Sequence, residues 1–189
     1  MNGKKRMVEQ SKTWLVDAFL DLLKTQPYDS ITVKDISEKA QLSRRTFYRL
    51  FKDKNDLLNF YSDRLIKEYL ARLQTISSTN MQFEQVLRIF FEFWWSKRTP
   101  VRLLIHQNLF MSLLDRMNPT AFRLYDLFDA PWHVDGNQRE ISYIMSFSVG
   151  GFWNVLNMWL KKDDQDAQSP EVIANILSHA IKKLQEKRQ

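Results

Sequence analysis

The chain has 189 residues, 44% of them hydrophobic, with 4 Gly, 5 Pro, no Cys and a formal charge of +6. That length holds one core of ordinary size or two small joined units, and the scarcity of helix breakers predicts a globular, mostly helical protein. The lack of cysteine excludes disulfides and thiolate metal sites, and no run approaches the roughly 18 to 20 apolar residues needed to span a bilayer.

The basic start, Lys4, Lys5 and Arg6, is followed by a stretch broken by Asp17 and Asp21, unlike the apolar segment of a signal peptide. The expectation is therefore a cytoplasmic protein with no membrane partner.

Apolar residues recur at helical spacing from end to end, and no period-2 strand pattern stands out. The first amphipathic helix is predicted over about Val8–Lys24, followed by a break at Gln26–Ser30. Thr32-Val33-Lys34-Asp35 reads as a near capping box opening a short helix to about Ala40. Gln41-Leu42 forms a turn, and Ser43 caps the next helix, with Leu42 placed to staple against Phe47. Asp53 caps a long helix from Lys54 to about Ile76, roughly 35 Å at about 1.5 Å per residue.

Further breaks are predicted at Ser77–Asn80, Arg98–Pro100, Asp129–Gly136 and Asp163–Ser169. Asn118-Pro119 and Ser169-Pro170 each read as an N-cap with proline at the first helical position, and Asn137 with Glu140 as a further capping box. About nine helices result, in an all-α fold. The division expected is an N-terminal unit over 1–53, a linking helix over 54–77, and a C-terminal unit over 78–189.

Charge singles out one part of this pattern. Residues 1–60 hold 12 Lys+Arg against 8 Asp+Glu, whereas residues 101–189 hold 10 of each. Between Glu38 and Asp53 there are five basic residues and no acid. A basic stretch is commonly just a solvated surface, so its position must decide.

Val33–Ala40, the turn and the helix after Ser43 have the order of a helix-turn-helix. At 100° per residue Phe47, Leu50 and Phe51 share one face, while Arg45 and Arg49 point almost opposite, flanked by Thr46 and Tyr48. Arg44 and Arg45 oppose the helix dipole, and Arg45 with Arg49 is a like-charge i,i+4 pair; each conflict costs roughly a few tenths of a kcal/mol. Beside phosphates the signs reverse, and a guanidinium can bond bidentately to guanine O6 and N7. Tyr48 and Thr46 hydroxyls suit phosphates, and Lys54 offers an ammonium and a backbone amide. Thr32, Lys34 and Ser43 complete the candidate DNA contacts.

The segment Ile31–Leu58, "ITVKDISEKAQLSRRTFYRLFKDKNDLL", resembles the N-terminal domain of TetR-family transcription regulators. Thr32, Val33, Ile36, Ala40, Ser43, Thr46, Tyr48, Phe51, Lys54 and Leu57 fall on matching positions. It departs from the pattern at Ser37, Gln41, Phe47 and Leu50; Gln41 stands where the family has glycine, in a turn that favours it.

The resemblance implies a three-helix reading unit whose Thr46, Tyr48 and Lys54 contact phosphates and whose Arg44 and Arg45 lie near base edges. It also implies a larger helical domain that dimerises and often binds a small molecule. A homodimeric repressor reading a palindromic operator is the function so implied, with release by a small-molecule effector. The alternative is a regulator, or activator, whose C-terminal unit answers to a protein.

In the second half, "SFSVGGFWNVLNMWL" from Ser146 resembles the family's penultimate helix. Ile173, Ile176, Leu177, Ala180, Ile181 and Leu184 form an apolar stripe on the last, and Gly150 and Gly151 permit close approach. Together with Phe152 and Val155 the stripe is the candidate dimer interface; the alternative is packing within its own subunit. Phe90, Trp94, His106, Phe110, Phe147 and Asn154 are the candidate pocket, weighed against simple core packing.

His106, His133 and His179 are isolated, so no metal or cofactor is expected. No nucleophile elbow, zincin motif or phosphate-binding glycine loop suggests an enzyme.

Overall fold

A computed structural model describes residues 3–76, 82–125 and 136–186. Nine α-helices and one 3-10 turn make up the described residues, with no strand among them: α1 (Gly3–Leu23), the turn Tyr28–Ser30, α2 (Val33–Lys39), α3 (Arg44–Leu50), α4 (Lys54–Ile76), α5 (Phe83–Ser96), α6 (Arg98–His106), α7 (Phe110–Tyr125), α8 (Gln138–Leu160) and α9 (Pro170–Glu186). The break predicted at 77–80, and residues 129–135 of the one predicted at 129–136, lie outside the described residues, as does His133.

The first three helices pack as a small unit because each donates one apolar side. Leu15, Val16, Phe19 and Leu23 of α1, Ile36 of α2 and Phe47 of α3 are buried in a common core with Leu57 and Leu58 of α4. The same α4 then carries Leu65, Ile66, Tyr69 and Leu73 into the C-terminal helices, so one helix belongs to both packing groups. Arg116 of α7 holds it from outside with two bonds to Asp63, at 2.7 and 2.5 Å.

At the centre of the C-terminal group lies α5, whose Phe83, Val86, Leu87, Ile89, Phe90, Phe91, Phe93 and Trp94 are all buried. Apolar residues on every side suit a helix enclosed by others, and α5 packs against α4, α6, α8 and α9. Its aromatic side chains meet Tyr69, Phe152, Trp153 and Trp159 from the neighbouring helices at 5.5–6.3 Å between ring centroids.

Two predicted boundaries are corrected. Asn118-Pro119 starts no helix: α7 runs through it with Pro119 in its interior. Proline there removes the bond to the carbonyl four residues back, which belongs to Asp115, an exposed residue, so water can take the freed carbonyl. Between α5 and α6 the chain breaks at Lys97, and Pro100 sits within the first turn of α6, where the missing N–H has no intrahelical partner to lose.

Candidate nucleic-acid interface

Local capping builds the reading unit. Thr32 Oγ1 accepts from the Asp35 N–H at 3.2 Å, and Asp35 accepts from the Thr32 N–H at 2.9 Å and its hydroxyl at 2.6 Å. The hydroxyl bond, then the backbone one, holds the Asp35 carboxyl below its ordinary pKa. This closed capping box starts α2. After it, Gln41 adopts φ 54, and the Leu42 N–H bonds back to the Ser37 carbonyl at 2.9 Å. The turn is thus left-handed with glutamine in it, despite a steric cost of about 1–2 kcal/mol for a side chain there.

Ser43 then caps α3 by accepting from the Thr46 N–H at 3.1 Å, and the two hydroxyls lie 3.0 Å apart.

This geometry sorts the nine expected DNA contacts into three groups. Arg44, Arg45, Tyr48, Arg49 and Lys34 are exposed, and Thr46 is half-buried. No ion pair engages the three arginines among the described residues, whereas Lys34 stands 3.9 Å from Glu38. Opposite them Phe47 is wholly buried against Phe51, which leads on to Phe60 of α4. Thr32 and Ser43 form a second group, with side chains engaged as caps.

Lys54 is a correction. Its ammonium donates to the carbonyls of Tyr28, Asp29 and Ile31 at 2.7, 3.1 and 3.0 Å and lies 4.3 Å from the Tyr28 ring centre. Its three protons are used inside the protein, on carbonyls in and beside the 3-10 turn, of which that of Tyr28 also accepts the Ile31 N–H at 3.1 Å. Tyr28 is fixed further by a bond from its hydroxyl to Asn55, and burial pushes its pKa up to about 12, keeping the phenol neutral. Sequence reasoning also passed over Lys52, which is exposed beside this face; the uninterrupted basic run was the available signal.

The six candidate pocket residues are not brought together around one cavity among the described residues. A cavity of about 60 Å³ lies between α4, α5, α7 and α8, lined by Tyr69, Phe83, Phe90, Met117, Met145 and Phe152 among others. Of the six expected residues only Phe90 lines it. Trp94 and Phe110 are buried beside Trp153 behind the wall. Phe147 is 83% exposed, Asn154 is exposed on the same side of α8, and His106 is exposed at the end of α6. The volume is well below the roughly 300 Å³ at which metabolite pockets begin.

The dimer expectation is redistributed as well. Phe152 turns inward, onto Phe83 and Phe90 at 6.2 and 6.3 Å. Val155, Ile173, Leu177 and Ile181 are half-buried against the subunit's own core, since α9 lies along α5. Ile176 is 56% exposed and Ala180 is exposed, while the side chain of Leu184 lies outside the described residues.

What α8 leaves uncovered is Tyr143, Phe147 and Met158, which with Asn154 fall within about 60° of one another at 100° per residue. Gly150 and Gly151 have nothing within 4 Å of where a Cβ would stand. Val172 on α9 is exposed too. Period alone could not separate the two apolar sides of α8.

Among the described residues no group of three or more His, Asp or Glu could hold a metal, and no helix is long and apolar enough to cross a membrane.

Comparison with known proteins gives the reading unit a setting. The sequence profile of "Bacterial regulatory proteins, tetR family" matches residues 15–59. The chain is 37% identical over 76 residues to the uncharacterized HTH-type transcriptional regulator YxbF of Bacillus subtilis, a match covering 40% of the chain and 20% of that relative. It is 35% identical over 60 residues to the HTH-type dhaKLM operon transcriptional activator DhaS of Lactococcus lactis, covering 32% of the chain and 31% of the relative. The matches thus span less than a third of the curated relatives' length.

The fold is shared more widely. A TetR transcriptional regulator from Streptococcus agalactiae superposes with a TM-score of 0.62 at 19% identity, over 95% of this chain and 96% of the other.

Proposed function

We propose that the chain, whose residues 15–59 match the TetR family of bacterial regulatory proteins, is a sequence-specific DNA-binding transcription regulator. It is a regulator and not an enzyme, as its family is. The observation that carries the DNA reading is the face of α3 where Arg44, Arg45 and Arg49 are exposed with no acidic partner among the described residues, opposite a fully buried Phe47. Arg44 and Arg45 serve base edges; Tyr48, Thr46 and Lys34 serve phosphates; Thr32 and Ser43 hold the helices that present them. Lys54 contributes its place at the start of α4, with its ammonium retained within the protein.

Two copies joined through the outer sides of α8 and α9 read an inverted repeat, because a two-fold dimer presents its reading helices symmetrically. Tyr143, Phe147, Met158, Val172 and Ile176 supply the apolar surface for that contact. Repression follows from occlusion alone, since a dimer seated on its operator covers it. A small effector, if bound at the α4–α5–α7–α8 cavity, is apolar and must widen it.

Selection of bound DNA from a random pool by the full chain tests the proposal. An enriched inverted repeat is expected; enrichment of single half-sites only would remove the dimer, and no enrichment would remove sequence-specific reading. A reporter carrying the selected repeat then reads the sign of regulation, and so decides between repressor and activator.

A further inference from the structure

We propose that Gln107 is a positioning residue: it fixes the pose of the DNA-reading unit against the C-terminal helices by capping α1 from outside. This rests on the regulatory reading above and adds to it a route between the two packing groups. The last carbonyls of a helix have no intrahelical partner. The carbonyl of Leu23, the last residue of α1, and that of Gln26 in the turn after it receive both amide protons of Gln107, at 2.9 and 3.2 Å. The same side chain accepts the Tyr28 N–H at 2.9 Å. Two acceptors and one donor face it, so the orientation of the amide is determined by its surroundings.

Among the described residues, these three are the only hydrogen bonds between residues 3–53 and 82–186. Gln107 is held in place by an unusual helix end. Asn108 adopts φ 58, and the Leu109 N–H returns to the Leu104 carbonyl at 2.7 Å.

Beyond Gln26, the carbonyls of Tyr28, Asp29 and Ile31 take the Lys54 ammonium, and the next residue, Thr32, is the cap of α2. The segment from Leu23 to Thr32 is therefore held by one side chain from each packing group. A displacement of α6 reaches the start of the helix-turn-helix through it.

The other end of α6 is tied just as specifically. Arg102 donates to the carbonyls of Leu160 and Lys162 at 2.9 and 2.6 Å and to Asp164 at 2.5 Å, and Arg98 adds a bond to Asp164 at 3.1 Å. These partners close α8 and begin the segment toward α9. Thus α6 spans from the helices of the proposed dimer face to the reading unit, with hydrogen-bonded side chains at both ends.

The absence of cysteine makes the test direct. Cysteines placed at exposed Lys52 and Lys161 carry spin labels that report the distance between the reading unit and the end of α8 in the full chain. Gln107→Met, which keeps the length and removes the bonds, is expected to broaden that distribution while helix content is retained. On DNA it is expected to keep half-site affinity but to lower discrimination between the selected spacing and spacings altered by about two base pairs, by roughly tenfold.

An unchanged distance distribution overturns the proposal. So does an equal loss on half-sites and full sites with a lowered melting temperature, which marks a merely structural residue. If the Met variant does not fold, Gln107→Asn, whose amide is too short to span both carbonyls, is measured in the same way. Should the parent chain select no DNA, the regulatory reading fails while the distance measurement still decides the role of Gln107.

Discussion

On α3 the exposed side carries Arg44, Arg45 and Arg49, none paired with an acid among the described residues, whereas on α8 it carries Tyr143, Phe147 and Met158, each more than half exposed. Both surfaces are incomplete in isolation, and the chemistry of what is missing differs. Uncompensated cations in water cost little, so α3 tolerates them until an anion arrives; the gain on meeting phosphates is then electrostatic and depends on salt. Large apolar side chains in water forgo roughly 1.5–3 kcal/mol each relative to burial, so the α8 side gains most from a dry partner. On the proposed reading, one helix would release its partner readily and the other would keep it.

The comparison can be broken in several places. Its foundation on the α3 side is Phe47, wholly buried opposite the arginines; Phe47→Ala is expected to destabilise the fold by about 3–5 kcal/mol in chemical denaturation. A loss well under that would mean the reading helix does not depend on this anchor. On the α8 side, Phe147→Asp leaves the monomer's core untouched but places a charge twice in a two-fold interface. It should weaken self-association by at least about 2 kcal/mol, seen as monomer by sedimentation. A dimer of unchanged affinity would move the interface elsewhere.

Arg45→Ala should cost about 1–3 kcal/mol at one base pair and relax specificity there. Lys54→Met, by contrast, should lower the melting temperature and leave the salt slope of DNA binding unaltered, because its ammonium holds carbonyls. A flatter slope for Lys54→Met would return that residue to the phosphate contacts.

Smaller effects probe the hinges between these surfaces. Gln41 pays for a left-handed conformation that glycine adopts freely, so Gln41→Gly should stabilise the chain by up to about 1 kcal/mol. If it destabilises instead, the glutamine side chain has a compensating role in the turn. At the far end of α6, bonds from Arg102 and then Arg98 hold the Asp164 carboxyl below its ordinary pKa. A depressed pKa contributes stability above the unfolded value and loses it as pH falls through the folded one. Asp164→Asn should therefore melt slightly lower than the parent at pH 7, with the difference vanishing below the usual carboxylate range. A difference independent of pH would assign the effect to packing.

How much of this was legible beforehand varies with the range of the interactions. The capping boxes at Thr32 and Asn137, the Ser43 cap and the extent of α4 are settled by residues within four positions of one another, and all are found as the sequence predicts. The split of α3 into a buried and an exposed edge follows from helical period, and it too is found.

Missed or misplaced were Pro119, tolerated within α7 because the carbonyl it leaves without a partner belongs to the exposed Asp115, and Phe147 and Phe152, whose places on α8 are set by which neighbour covers which side. Lys54 and Gln107 were misread or overlooked for the same reason: their partners lie about 25 and 80 residues away along the chain.

The sequence by itself determined the helical class, the order of the elements, the helix-turn-helix and the cationic edge it presents, because caps, periods and charge are local quantities. The tertiary structure alone decided that the aromatic cluster is core around α5, that a small cavity lies in it among the described residues, and which apolar side of α8 is left exposed there. It also decided that a glutamine joins the two packing groups. Burial and long-range hydrogen bonds depend on which helices meet, and that depends on every helix at once.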